Sequence, residues 1–215
     1  MAGIGFELRR LLQKNSIGGR SQAYAFAAII GSGPWLLSIA AILAISLINI
    51  RQNVPSEFVA QFQVSITYLM ALSLILTSPL QLMFTRFVAD RLFERRPRLI
   101  LANLFGALIV TFLSAGLLGT IALALWFDGS LLYRQCMLTG FVTLCGIWVM
   151  VIFASAIKAY QQILLAFLMG YGITVGASLG LRDLGLAGLL LGFVVGQVCL
   201  FFACWCWWHA SIRAI

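Results

Sequence analysis

Charged side chains are what this chain has least of. Its 215 residues include 14 Lys+Arg and 6 Asp+Glu, so 9% are charged, against about 25% in soluble domains. Histidine occurs once, as His209, and proline only four times. The sequence holds no Ser/His/Asp set, no paired carboxylates, no phosphate-cradling glycine loop and no metal-ligand spacing. It reads as a non-enzyme, with no cofactor and no metal. The five cysteines (Cys136, Cys145, Cys199, Cys204, Cys206) lie inside or at the edges of apolar runs. None offers a loop pair for a disulfide framework, and Cys204-x-Cys206 lacks the second pair that zinc needs. They read as small buried hydrophobes.

What is abundant is apolar surface: 62% of the residues are hydrophobic. A charge at the centre of a membrane helix costs roughly 2.5–3.5 kcal/mol on the insertion scale, so uncharged runs mark spans. There are six, at 21–50, 58–85, 99–127, 135–157, 159–181 and 184–208. The short alternating segments of a β-barrel are absent. The expected fold is an all-α membrane protein of six transmembrane helices.

The start, "MAGIGFELRRLLQKNSIGGR", places Arg9, Arg10, Lys14 and Arg20 before a run twice as long as a signal-peptide core. Such a run crosses the bilayer and stays. Within the leader, Ile4, Leu8, Leu11 and Leu12 recur at helical spacing while Glu7, Arg9, Arg10, Gln13 and Lys14 face elsewhere. This predicts an amphipathic helix on the membrane surface, held by its leucine stripe and by anionic lipid headgroups; the alternative is an unstructured basic flank. Residues 1–19 form this interfacial segment and 20–215 the six-helix unit.

A net charge of +8 could suggest nucleic acid, but its distribution argues against that partner. With the N-terminus in the cytoplasm, the inner flanks hold Arg9, Arg10, Lys14, Arg20, Arg86, Arg91, Arg95, Arg96, Arg98, Lys158 and Arg213, eleven of the fourteen basic residues. Only Arg51, Arg134 and Arg182 fall outside. The positive-inside rule then predicts both termini in the cytoplasm.

The charged connection "TRFVADRLFERRPRL" predicts an extension of the second helix beyond the membrane, with Arg86 and Asp90 as an i,i+4 pair and Pro97 opening the next helix. A solvated helix end accounts for it; the functional alternative is a basic mouth attracting an anionic group. Gly172, Gly176 and Gly180 repeat at four-residue spacing, as do Gly188, Gly192 and Gly196. Both sets predict close packing of spans five and six. Gly31, Gly33 and Pro34 in "GSGPW" and Pro79 in "TSPLQ" predict kinks, with Ser32 and Ser78 placed to satisfy freed carbonyls. Kinked spans occur where transporters bend or bind, and also without any transport role.

Polar residues within or beside spans are the pathway candidates: Gln61, Gln81, Asn103, Gln162, Gln197 and Lys158, with Arg86 and Asp90 at the inner mouth. Uncharged amides suit sugar hydroxyls better than a proton relay, and they serve equally as interhelical glue.

Four stretches carry a resemblance: "AGIGFELRRLL" at 2–12, "SGPWLLSI" at 32–39, "FTRFVADRLFE" at 84–94 and "GLAGLLLGFVVGQ" at 185–197. They resemble the PelG family, inner-membrane transporters of the Pel exopolysaccharide of bacterial biofilms related to the flippases of the MOP superfamily. The resemblance implies a helical bundle moving a growing polysaccharide outward, in contact with membrane lipid. It also implies a synthase complex as partner, made of a cytoplasmic glycosyltransferase and membrane docking proteins. MOP transporters resemble two six-helix lobes, so the chain is expected to be one N-in/C-in lobe that works with a second lobe or a second copy. The alternatives are a noncatalytic membrane scaffold for a polysaccharide synthase and a lipid or drug transporter of the same superfamily.

Overall fold

The structure, a computed structural model, describes residues 17–52, 54–94, 97–126, 129–156 and 160–213, with side chains in the first helix from Gly33 onward. Among these residues run six α-helices and no strand: α1 (Ile17–Arg51), α2 (Ser56–Phe93), α3 (Pro97–Trp126), α4 (Leu131–Ala156), α5 (Tyr160–Gly180) and α6 (Gly185–Arg213). All six are long and apolar enough to cross a membrane, and each expected span overlies one of them. The leader helix predicted over 4–14, Lys158 and the surroundings of Gly31 and Ser32 lie outside the described residues and side chains.

The charge-poor sequence explains the lengths. At 1.5 Å per residue, the 38 residues of α2 make a rod of about 57 Å, well beyond a hydrocarbon core of about 30 Å. The helix continues through the charged turns to Phe93, as the sequence predicts. The ion pair there is Arg91–Glu94 rather than Arg86–Asp90 among the described residues, and the Arg91 guanidinium stands 5.1 Å from the Phe87 ring. Pro97 opens α3, where its missing N–H has no helical partner to lose.

Neither internal proline ends its helix; α1 continues through Pro34 and α2 through Pro79. The carbonyl that Pro79 leaves without an i+4 donor belongs to Ile75. Ser78 Oγ donates to it at 3.1 Å, which is how a proline is accommodated where no water is available.

The helices pack around α4, with 67% of its span buried against 28% for α3. α4 contacts α2, α3 and α6; α5 lies mainly against α6 and α1. Chain neighbours α1 and α2 touch little, since α1 leans on α5 and α2 on α4. Fully buried Phe62, Phe153, Phe167, Phe193 and Leu144 fill the centre. Arg134 has a structural role: its guanidinium donates to the Leu123 carbonyl at 3.1 Å, in the last turn of α3, where free carbonyls attract a cation. Arg134→Leu is expected to lower stability by about 1.5–3 kcal/mol, the range for a hydrogen bond to a charged group, read as a lower unfolding temperature in detergent.

The closest contact is α5 against α6. A short 3₁₀ turn (Arg182–Leu184) joins them and Gly185 completes the reversal at φ 66°, a conformation that favours glycine. Running back, Gly188 meets Leu181, Gly192 meets Ser178 and Ala177, Gly196 meets Thr174, and Gly170 meets Leu200. The α6 glycines pack as the sequence predicts. Those predicted on α5 do not: Gly172, Gly176 and Gly180 face open space. The stripe that α5 presents is Gly170, Thr174 and Ser178, two residues out of step and so on the opposite side of the helix. Thr and Ser are small enough to admit a facing backbone and can also bond to it; Ser178 Oγ donates to the Leu189 carbonyl at 3.1 Å.

Candidate functional site

Two collections of polar groups inside this apolar bundle draw on α1, apart from a separate buried pair of Ser65 Oγ and Tyr133 OH at 2.8 Å. The first lies between α2, α4 and α1. Gln81 Nε2 donates to Thr77 Oγ1 at 3.1 Å, and Thr77 Oγ1 in turn donates to the Ser73 carbonyl at 2.8 Å. Ser73 Oγ donates to the Met70 carbonyl at 2.9 Å and accepts the indole N–H of Trp148 at 3.0 Å. Trp148 stacks on Trp35 of α1, with ring centroids 5.4 Å apart and an interplanar angle of 20°. Trp148, Ser73 and Thr77 are buried, whereas Trp35 is 42% exposed.

This column descends α2 on a face with a regular pattern. Gln63 and Gln81 are eighteen residues apart, five helical turns, and so share one direction. Each is followed four residues later by a threonine that bonds back to it, Thr67 Oγ1 to the Gln63 carbonyl at 2.8 Å and Thr85 Oγ1 to the Gln81 carbonyl at 2.6 Å. Gln63 fixes where the face points, because its Nε2 donates to Ser46 Oγ of α1 at 2.8 Å. The row is turned toward α1.

The second collection lies between α1, α5 and α6. Gln197 is fully buried and its Nε2 reaches Thr174 Oγ1 only at 3.5 Å, while its Oε1 has no partner among the described residues. The Tyr171 phenol lies beside Ser38 and Gln197, and Ser38 Oγ donates to the Trp35 carbonyl at 2.7 Å. Pro34, preceded by buried Gly33, thus stands one residue before the tryptophan that joins the first collection and four before the serine that joins the second.

Of the residues singled out from sequence, the structure brings Gln81 and Gln197 into these collections, with Gly33 and Pro34 beside them. The others stand apart. Gln61 is exposed near the start of α2, on the side opposite Gln63. Asn103 of α3 spends its amide on the Leu99 carbonyl at 2.7 Å, and Gln162 is half-buried at the start of α5. Arg86 and Asp90 are exposed at the far end of α2, and Pro79 is exposed on the same helix. Gln63, Ser73, Trp35 and Trp148 were missed by the sequence reading. The signal for the α2 face was available in Gln-x₃-Thr repeated after five turns. A separate groove of about 210 Å³ between α3, α4 and α6, lined by Phe112, Val142, Thr143, Val198, Phe201 and Phe202, is almost wholly apolar and has the character of a surface for lipid chains.

An uncharged row of amides and hydroxyls beside an aromatic stack, held inside a six-helix membrane bundle, has the chemistry to meet a hydroxyl-rich solute. The family model of PelG, described as "Putative exopolysaccharide Exporter (EPS-E)", matches residues 1–211. This chain belongs to the PelG family. No curated protein and no solved structure matches it. The family description is that of an exporter, and the six apolar helices of this chain make it a multi-pass membrane protein. In this PelG-family chain the "SGPWLLSI" motif supplies Trp35 to the first polar collection and Ser38 to the second.

Proposed function

We propose that this chain is the N-terminal lobe of a transporter that moves Pel-type exopolysaccharide outward across the bacterial cytoplasmic membrane for the biofilm matrix. The observation that carries the reading is the α2 row facing α1, an uncharged polar strip in a member of an exporter family. A hydrated sugar chain crossing hydrocarbon needs replacements for its water hydrogen bonds. Amides and hydroxyls provide them without the cost of buried charge. Thr67, Ser78 and Thr85 of α2 are exposed, and a polar strip of this kind calls for a covering surface, from a second lobe or a second copy. The partners proposed are a cytoplasmic glycosyltransferase that makes the polymer, the membrane proteins that dock it, and bilayer lipid.

Both termini lie in the cytoplasm on this reading, following the eleven-to-three split of basic residues. Reporter fusions at residue 53 are expected to read as external and at residue 93 as cytoplasmic; the reverse assignment at either position overturns the topology. The functional test is deletion of the coding region in its host. Surface polysaccharide is expected to fall to background while cytoplasmic polymer or its precursors accumulate, with restoration by the parent gene. Undiminished surface polysaccharide would remove the exporter reading.

A further inference from the structure

The two tryptophans that join α1 to α4 are more than packing. Trp148 is buried and pinned by its N–H to Ser73 Oγ at 3.0 Å. Trp35 lies on it at 5.4 Å, and 42% of Trp35 remains exposed. One ring face of Trp35 is therefore backed by a fixed partner while its remaining surface is free. A large aromatic held rigidly, with an open face, is a prepared surface for another flat apolar group.

Helix register gives the direction of that surface. Trp35 and Ser46 are eleven residues apart, three turns, so they share a side of α1. Ser46 is the residue that meets Gln63 of α2. Trp35 thus stands on the α2 side of α1, and Gln81 stands on the α1 side of α2. Along the helices, Trp35 and Trp148 each lie about 25 Å from the outer ends of α1 and α4, and Gln81 about 12 Å farther toward the inner end. Among the described residues the side-chain amide oxygen of Gln81 (Oε1) accepts no hydrogen bond, while its Nε2 donates to Thr77 Oγ1.

We propose that Trp35 is a stacking platform for one ring of an uncharged saccharide chain, and that Gln81 takes hydroxyl or amide hydrogen bonds from units on its inner side. A sugar ring has an apolar C–H face and a polar rim, which is the pairing of surfaces that an indole beside an amide column offers. A lipid chain would satisfy the indole and leave the amides unused. The row of Trp35, Ser46, Gln63, Ser73, Thr77 and Gln81 carries no charge, so a uronate or an amino sugar would be desolvated here without a counter-charge. The substrate class is accordingly neutral: hexose or N-acetylhexosamine units. This inference rests on the exporter reading and deepens it.

The test is binding to the purified full chain in lipid nanodiscs, by calorimetry, with three groups of hexasaccharide probes. Maltohexaose and chitohexaose are neutral, the chitosan hexamer is cationic and the galacturonate hexamer is anionic. At least one neutral hexamer is expected to bind about tenfold more tightly than either charged one. Trp35→Leu is expected to weaken that binding about tenfold, the size of one aromatic stacking contact, while Trp35→Phe retains most of it. If Trp35→Leu fails to fold, Gln81→Leu serves in its place and is expected to weaken neutral-sugar binding several-fold. Neutral binding unchanged in the folded Trp35→Leu and Gln81→Leu proteins overturns the subsite, as does a parent chain that binds none of the probes. Equal or tighter binding of a charged hexamer overturns the neutral assignment. The exporter reading fails separately, in the deletion strain, so loss of the subsite with export intact leaves that reading standing.

Discussion

Gly192→Leu is expected to abolish assembly of the six-helix unit. A side chain there would begin in the backbone of α5, against Ser178 and Ala177, and backbone cannot rotate aside as a flexible side chain can. Overpacking a core site typically costs about 1–3 kcal/mol and occasionally more. Here relief requires separating α5 from α6, which would also break the Ser178–Leu189 hydrogen bond and open the contacts around Gly188 and Gly196. The loss then reaches the scale of the whole stability of a domain, about 5–15 kcal/mol. Gly192→Ala, adding only the first carbon, is expected to cost about 2–3 kcal/mol. The control lies on the other side of α5: Gly176→Leu adds its side chain to open space and is expected to change stability by less than about 0.5 kcal/mol. The measurement is yield and unfolding temperature of the monodisperse protein in mild detergent. A normally folded Gly192→Leu protein would show that the α5–α6 approach is not as close as described.

That pair of substitutions also shows how far the sequence could be read. The six helices were legible because the cost of a charge in hydrocarbon leaves long uncharged runs no other fate, and Pro97 marked a helix start for an equally local reason. The side on which α5 meets α6 was not legible. Gly172, Gly176, Gly180 and Gly170, Thr174, Ser178 have the same four-residue period. Period alone does not say which stripe a neighbour covers. Glycine spacing singles out the all-glycine stripe, yet Thr and Ser admit the α6 backbone and Ser178 adds a bond to it.

The candidate site divides in the same way. Gln81 and Gln197 stood out because an amide in a span is conspicuous, and both lie in polar collections. Trp35 and Trp148 did not, since a tryptophan in an apolar run reads equally as a lipid-facing or interfacial ring. Ser73 is one serine among many that bond to their own helix; its acceptance of the Trp148 N–H links residues 75 positions apart, a pairing that only the tertiary structure brings about. The charged end of α2 misled in a smaller way: four-residue spacing suggested Arg86–Asp90, whereas Arg91 pairs with Glu94 over three residues and lies over Phe87 as well.

Pro34→Ala is expected to raise the stability of the chain and lower its export. The α1 helix passes through Pro34 without ending, so alanine fits the backbone and returns an N–H to the helical ladder; a mid-helix proline costs about 3 kcal/mol in water, less in a membrane where other groups re-satisfy the freed carbonyl. A gain of about 1–2 kcal/mol is expected as a higher unfolding temperature. The functional loss follows from what the proline positions. Trp35 comes next in the chain and reaches across to Trp148, and Ser38 donates to the Trp35 carbonyl on the way to Tyr171 and Gln197. Relaxing the helix at residue 34 shifts the direction of everything in α1 on one side of it, and so moves Trp35 relative to the row on α2. Pro79→Ala is the control, because Pro79 is exposed and Ser78 already serves the carbonyl it frees. Its export is expected to match the parent. Export by the two variants is measured as surface polysaccharide in the deletion strain, normalised to the amount of chain in the membrane. Equal export by parent, Pro34→Ala and Pro79→Ala would reduce Pro34 to a packing residue with no part in transport.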